Sequence, residues 1–282
     1  MTQTVEHPPL RPVGGRPSLQ DYTRQLWQRR HFIYAESRAR AFSGNRDYLL
    51  GNLWLVGRPI LDGMIYYVVF ALILRTDRGI DNFPAYLLIG VFLFSFTLRV
   101  TNTGVTSMLT SRNMLQSFSF PRASIPLSVI TRETISMAPV LATMLVLIVL
   151  VSEENPISAT WLLFPGVFAL QVLFNTSVAL YAARLGFELP DLRFFVAFIA
   201  RLWFYASGVM YSITRFVNEG FWLWALQANP MYLVLDMSRD LLIYDTVPPL
   251  RHWLIMLLWA ALSPLMAYYY FWRQEASYGQ ER

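Results

Sequence analysis

The chain has 282 residues, of which 55% are hydrophobic and only 15% charged, with a formal net charge of +5. Soluble domains carry about a quarter charged residues, so this chain has too few charges to coat a water-facing surface. Cysteine is absent, which excludes disulfides and thiolate metal sites. The three histidines, His7, His31 and His252, lie too far apart along the sequence to suggest a metal cluster.

Residues 1–30 begin with a proline- and charge-rich stretch that has no apolar core. They read as a largely disordered cytoplasmic tail, not a signal peptide. Residues 31–58 are expected to form cytoplasmic interfacial helices. Within them, RDYLLGNLWLV at 46–56 puts Leu49, Leu53 and Val56 on one helical face, as a helix lying in the membrane interface does. The same residues would also serve as the first turns of a span.

Six spans follow, over 59–74, 84–109, 134–151, 159–183, 194–213 and 252–272. Most approach the roughly 20 apolar residues that cross a bilayer. Residues 59–272 then make one transmembrane domain, and 273–282 a second cytoplasmic tail. The fold class is all-α integral membrane. A β-barrel would show short alternating segments instead.

Arginine asymmetry sets the orientation. Arg11, Arg16, Arg24, Arg29, Arg30, Arg38, Arg40, Arg46 and Arg58 precede span one. The connections on the same side add Arg112, Arg122, Arg132, Arg184 and Arg193, against Arg75, Arg78, Arg215, Arg239 and Arg251 opposite. Both termini are therefore expected in the cytoplasm, with the chain multi-pass in the plasma (inner) membrane.

On the outer side, residues 219–249 carry Phe221, Trp222, Leu223 and Trp224, then turn at Asn229–Pro230. Asn229 suits an N-cap and Pro230 the first helical position. Asp236, Arg239 and Asp240 share one face of the helix that follows. The segment reads as a re-entrant helical hairpin or as an outer loop with an interfacial helix.

Polar residues within spans tend to mark function. Arg99, Asn102, Thr103 and Thr106 share one face of span two. Arg99 lies about 22 Å along the helix from Pro84, in the inner third of a roughly 30 Å core. There it could line a conduit or meet a phosphate; a snorkelling arginine is the plainer alternative. Asp62 follows Arg58 by one turn, as an ion pair would. Tyr66, Tyr67 and Phe70 in span one, and Trp203, Tyr205 and Tyr211 in span five, offer aromatic faces suited to sugar rings or to packing.

No enzyme constellation can be assembled. The acid pairs Asp77/Asp81 and Asp236/Asp240 have no histidine nearby in sequence and no metal-ligand spacing, and no GxSxG elbow occurs. All 23 basic residues are arginine. A P-loop needs its lysine on the β- and γ-phosphates, so the chain is not its own P-loop ATPase. Arginine-only usage is also what a high-GC coding sequence produces.

Four patches carry a resemblance. They are LGNLWLVGRP at 50–59, FPRASIPL at 120–127, LWFYASGVMYSI at 202–213 and NPMYLVLDMSRDLL at 229–242. In this order, and on these sides, they resemble the ABC-2 type export permeases, in particular the Wzm/TarG-like exporters of polysaccharide and polyol phosphate. The likeness runs from about residue 38 to 273. It departs at Ser207–Gly208, where the family usually has Ser-Pro, and at Pro190–Arg193, where many members read Phe-Arg-Asp-Leu.

The resemblance implies a transport subunit and no enzyme. Its fold would be six spans preceded by an interfacial helix, with an outer hairpin before span six. Its partners would be a second copy of itself and two nucleotide-binding ATPase subunits, which hold the ATP and Mg; no cofactor on this chain and no nucleic-acid partner are expected. The cargo would be a polyprenyl-pyrophosphate-linked polysaccharide, with cell-wall galactan the first reading. O-antigen or teichoic acid are close seconds, and a drug or small lipid is a further ABC-2 alternative. A membrane glycan enzyme and a passive channel are the readings outside the family.

Within the conduit that the resemblance implies, the aromatic faces and the polar position in span two point to Tyr66, Tyr67, Phe70, Arg99, Trp203, Tyr205 and Tyr211 as lining residues. ATPase coupling falls to Arg46, Met114, Phe118, Phe120, Pro121 and Arg122. The outer gate comprises Trp222, Trp224, Asn229, Pro230, Asp236 and Arg239. The lipid pyrophosphate needs basic groups, for which Arg58, Arg99 and Arg132 are the candidates.

Overall fold

A computed structural model describes residues 17–43, 51, 53–69, 80, 82–111, 120–152, 157–212 and 221–275. Among these residues the chain is entirely helical. Helix α1 is Leu19–Gln28, α2 Arg30–Ser43, α3 Leu53–Tyr67, α4 Phe83–Thr110 and α5 Ser124–Val151. A short 3-10 turn, Ala159–Leu163, leads into α6, Phe164–Glu188. Then come α7, Leu192–Ala206, α8, Phe221–Gln227, α9, Pro230–Leu242, and α10, Leu250–Arg273.

Four helical stretches are long and apolar enough to cross a membrane: Phe83–Thr110, Ser124–Val151, Ala159–Glu188 and Leu250–Arg273. They match expected spans two, three, four and six. Helices α3 and α7 have 15 residues each, about 22 Å of helix, which is short of a roughly 30 Å hydrocarbon core. Residues 70–79, which would extend α3, lie outside the described residues.

Helix already begins at Leu19, within the segment 1–30 expected to be tail. Ser18 caps it, its Oγ accepting from the Asp21 amide at 3.2 Å, which satisfies an otherwise unpaired first-turn donor. Helix α3 runs unbroken from Leu53 past Pro59, so residues 53–56 are the first turn of the same helix as 59–67. The rest of the expected interfacial segment, 46–50 with Arg46, lies outside the described residues.

Helix α7 stops at Ala206, where the apolar pattern predicts helix as far as 213. The Ser207 amide donates to the Phe204 carbonyl at 3.4 Å and the Gly208 amide to the Tyr205 carbonyl at 3.3 Å. Gly208 then takes φ 63°, a left-handed conformation open to glycine and costly for a side-chain-bearing residue.

Helix α4 is apolar around most of its circumference and sits at the centre, as such a helix must. Phe92, Phe94, Phe96 and Val100 are buried there against α5, α6 and α9. A polar knot crosses this core. Thr97 donates to Asn175 Oδ1 at 3.0 Å, and Gln171 Nε2 donates to the Leu93 carbonyl at 2.9 Å. Helix α2 lies along α5, with Ser37 Oγ donating to the Ser128 carbonyl at 3.0 Å. Helix α10 packs along α6.

Candidate functional site

The end of the bundle that carries α1, α2 and the last turn of α10 holds most of the charge. On α4, Arg99 reaches across to α5. Its Nε lies 3.3 Å from Glu133 Oε2, while Arg132 Nη2 lies 3.2 Å from Glu133 Oε1. Glu133 is 8% exposed. One buried carboxylate thus sits between two guanidinium groups. Arg99 also donates to Ser95 Oγ and Met137 Sδ, both at 3.2 Å. Arg58, exposed on α3, is within electrostatic range of Arg99. Three arginines and one glutamate leave an excess of two positive charges.

Beside this cluster, α2, α4 and α5 enclose a cavity of about 70 Å³. Ser37 and Arg40 line it from α2, Thr103 and Ser107 from α4, and Ser128 and Arg132 from α5. The polar face of α4 read from the sequence therefore divides. Arg99 turns to Glu133, and Thr103 faces the cavity. Thr106 Oγ1 bonds back to the Asn102 and Thr103 carbonyls of its own helix.

Nearby, α1 and Glu275, just past α10, close on the start of α5. Tyr22 on α1 donates its hydroxyl to Glu275 Oε2 at 2.7 Å and accepts from the Ala123 amide at 2.9 Å. The Arg122 amide donates to Glu275 Oε1 at 3.0 Å. Burial raises the Glu275 carboxyl above the usual range, against the pull of Arg122 and of Tyr22, and burial likewise raises the Tyr22 hydroxyl. Pro121 is buried and Phe120 half-buried under Arg29. The described part of the segment assigned to coupling, 120–122, is thus held between α1 and Glu275. Met114 and Phe118 lie outside the described residues.

At the opposite end, α8 and α9 form a helical pair joined at Asn229. Asn229 Oδ1 accepts from the Met231 amide at 3.1 Å, the N-cap expected from the sequence, and Pro230 opens α9. The same side chain ties α9 to α7: Trp203 Nε1 donates to Asn229 Oδ1 at 3.0 Å, and Asn229 Nδ2 donates to Ser207 Oγ at 3.0 Å. Arg239 is 2% exposed and donates to the carbonyls of Gly208 and Val209 at 3.0 and 2.9 Å. Asp236 faces His252 on α10 at 3.4 Å. The sequence puts no histidine beside Asp236/Asp240; the fold does. Trp224 is exposed, and Trp222 falls within α8.

The aromatics read as a conduit separate on the same scale. Trp203 is half-buried, edge-on to Phe94 and Phe174, and hydrogen-bonded. Tyr205 is exposed, and Tyr211 donates to its carbonyl at 2.7 Å. Tyr66 and Tyr67 fall on the last turn of α3, while Phe70 lies outside the described residues. Two charges escaped the sequence reading. Glu133 could have been flagged as an acid at the edge of an apolar run, and Arg201 as an arginine inside one; Arg201 is exposed on α7.

The profile of the ABC-2 type transporter family matches residues 39–243. The chain belongs to the ABC-2 type transporter family. It is accordingly a membrane permease, a transport subunit of a multi-pass protein. Among its relatives is the O-antigen export system permease protein RfbA of Myxococcus xanthus, 25% identical over 85% of this chain and 93% of that protein. A protein of the same description from Klebsiella pneumoniae is 27% identical over 72% of this chain and 76% of its own length. The family match spans the helices that hold Arg99, Glu133 and Arg239.

Proposed function

We propose that this permease moves a polyprenyl-pyrophosphate-linked polysaccharide, cell-wall galactan in the first instance, from the cytoplasm to the outer side of the plasma membrane. The observation that carries this is the Arg99–Glu133–Arg132 cluster beside a hydroxyl-lined cavity. A diphosphate carries more negative charge than one carboxylate, so it competes with Glu133 for Arg99 and Arg132. Arg58 adds attraction from the exposed side. Serine and threonine hydroxyls suit the first sugar and the phosphate oxygens, since each both donates and accepts. The names of the relatives support a glycan cargo.

In this reading α3 and α7 complete six spans, both termini face the cytoplasm, and α8–α9 is a re-entrant hairpin that closes the outer end. Two copies of the permease form the conduit, with Tyr66, Tyr67, Phe70, Tyr205 and Tyr211 toward it. Two separate ATPase subunits bind ATP and Mg and push on the interfacial helix and the 114–122 connection. The arginine asymmetry and the lysine-free sequence support this division of labour.

The test is affinity capture of the complex from host membranes, followed by ATPase measurement in detergent. A co-purifying ATPase stimulated by lipid-linked galactan is the expected result. Stimulation by lipid-linked O-antigen or teichoic acid alone moves the cargo within the family. Absence of any ATPase under conditions that keep membrane complexes intact overturns the exporter reading.

A further inference from the structure

We propose that Asp236, Asp240 and His252 form a binding site for a divalent transition cation of the zinc class, joining α9 to the first turn of α10. One ligand atom from each of the three residues can be chosen so that all lie within 4.8 Å of one another. The two aspartates are one turn apart on α9, so they share a face. The 243–249 connection folds α10 back alongside α9 and brings His252 to that face.

The local backbone holds this arrangement in place. The Thr246 amide donates to the Asp240 carbonyl at 2.9 Å, and Thr160 Oγ1 donates to Asp245 Oδ1 at 3.1 Å. Arg239 anchors the same turn of α9 into the core. The ligands therefore stand on elements fixed by contacts other than their own.

A second observation points to an ion rather than to a simple pair of side chains. His252 Nδ1 is buried and makes no hydrogen bond, although it lies 3.4 Å from Asp236 Oδ2. Two ligand atoms each about 2.05 Å from a tetrahedral centre are separated by about 3.4 Å. A protonated His252 would form an ion pair with Asp236 at this distance, whereas an unprotonated Nδ1 and the carboxylate oxygen have the spacing of neighbours in one coordination sphere. Asp240 makes no ion pair of its own among the described residues, and its neighbour Arg239 is committed to backbone carbonyls. Two carboxyl groups and one imidazole converge on a common point.

The donor set selects the metal class. Magnesium and calcium take all-oxygen shells, whereas an imidazole nitrogen with carboxylates suits zinc and its neighbours. Three protein ligands leave a position for water. Binding requires Nδ1 of His252 unprotonated, with the proton on Nε2. The ion would fasten α9 to α10 independently of which cargo the permease carries.

The experiment uses the full-length permease in detergent with a tag that binds no metal. Zinc is titrated calorimetrically into wild type, Asp240→Asn and His252→Gln after treatment with chelator. One zinc per chain is expected in wild type, with affinity at least tenfold weaker in each variant. Zinc should raise the thermal midpoint of wild type only, while all three midpoints agree in chelator, which separates lost binding from lost folding. Cobalt(II) should give a ligand-field spectrum that His252→Gln abolishes. No stoichiometric zinc, equal affinity in the variants, or preference for calcium or magnesium overturns the proposal.

Discussion

Arg239 and Gly208 are joined across the bundle: the buried guanidinium on α9 donates to the Gly208 carbonyl at 3.0 Å, just past the point where α7 ends. A second nitrogen donates to the Val209 carbonyl, and the guanidinium carbon lies over the Tyr86 ring, 3.3 Å from its centroid. A cation placed over carbonyls at a helix C-terminus is favoured by the helix dipole. The backbone just past α7 thus finds donors on a helix 30 residues away.

Arg239→Ala should strip these carbonyls of their donor in a buried site. Each buried group left unsatisfied costs about 1–3 kcal/mol, so for the two carbonyls a loss of about 2–6 kcal/mol is expected. Arg239→Lys should not restore it, because an ammonium lacks the planar fork that spans two acceptors. Thermal unfolding of the detergent-purified permease measures both; a midpoint unchanged in Arg239→Ala would sink the idea.

Gly90 faces the same junction. A Cβ there would stand 2.6 Å from the Val209 carbonyl oxygen and 2.9 Å from an Arg239 nitrogen. Gly90→Ala should therefore destabilise by about 1–3 kcal/mol, as overpacking does. Gly57, where a Cβ meets only a tryptophan ring at 3.8 Å, serves as the control. Gly57→Ala should be neutral or gain up to about 1 kcal/mol of helix propensity.

Of the three arginines proposed for the pyrophosphate, Arg99 carries the sharpest expectation. Arg99→Ala should lower glycan export at least tenfold while the permease still assembles. Arg58→Ala should lower it less, since Arg58 is exposed, and Arg132→Ala should lower it comparably, since Arg132 pairs with the same carboxylate and lines the cavity. Glu133→Gln should slow release instead, by removing the carboxylate that competes with the cargo. Normal export in all three arginine variants, measured as glycan at the cell surface, removes the assignment.

The Tyr22–Glu275 clasp should respond to pH. Burial raises the Glu275 carboxyl in the folded state above its unfolded value near 4.5, so the folded protein holds the proton more tightly. The stabilisation is fully present below about pH 4.5 and is lost as pH rises through the folded value. Protection of α1 from proteolysis should therefore increase on acidification from neutral pH. Glu275→Gln should remove that pH dependence; an identical pH response in the variant would show that another group is responsible.

The sequence by itself determined the class of this protein and much of its local structure. Apolar runs demand helices with a hydrophobic surround, because backbone groups have no other partner in lipid, and four of the expected spans appear as such helices. The Asn229–Pro230 cap was legible because a cap needs only its own next two residues. Family membership was legible from four short patches in order. What only the tertiary structure decided is which polar groups meet. Arg99 and Glu133 are 34 positions apart on two helices, and Asp236 and His252 are separated by a turn of chain that reverses direction. No periodicity within one helix encodes such a pairing, since it depends on how two helices rotate against each other. The end of α7 just before Gly208 lies between. Its glycine was visible, but the apolar residues beyond it hid the break, and Arg239 makes that break stable from another part of the chain.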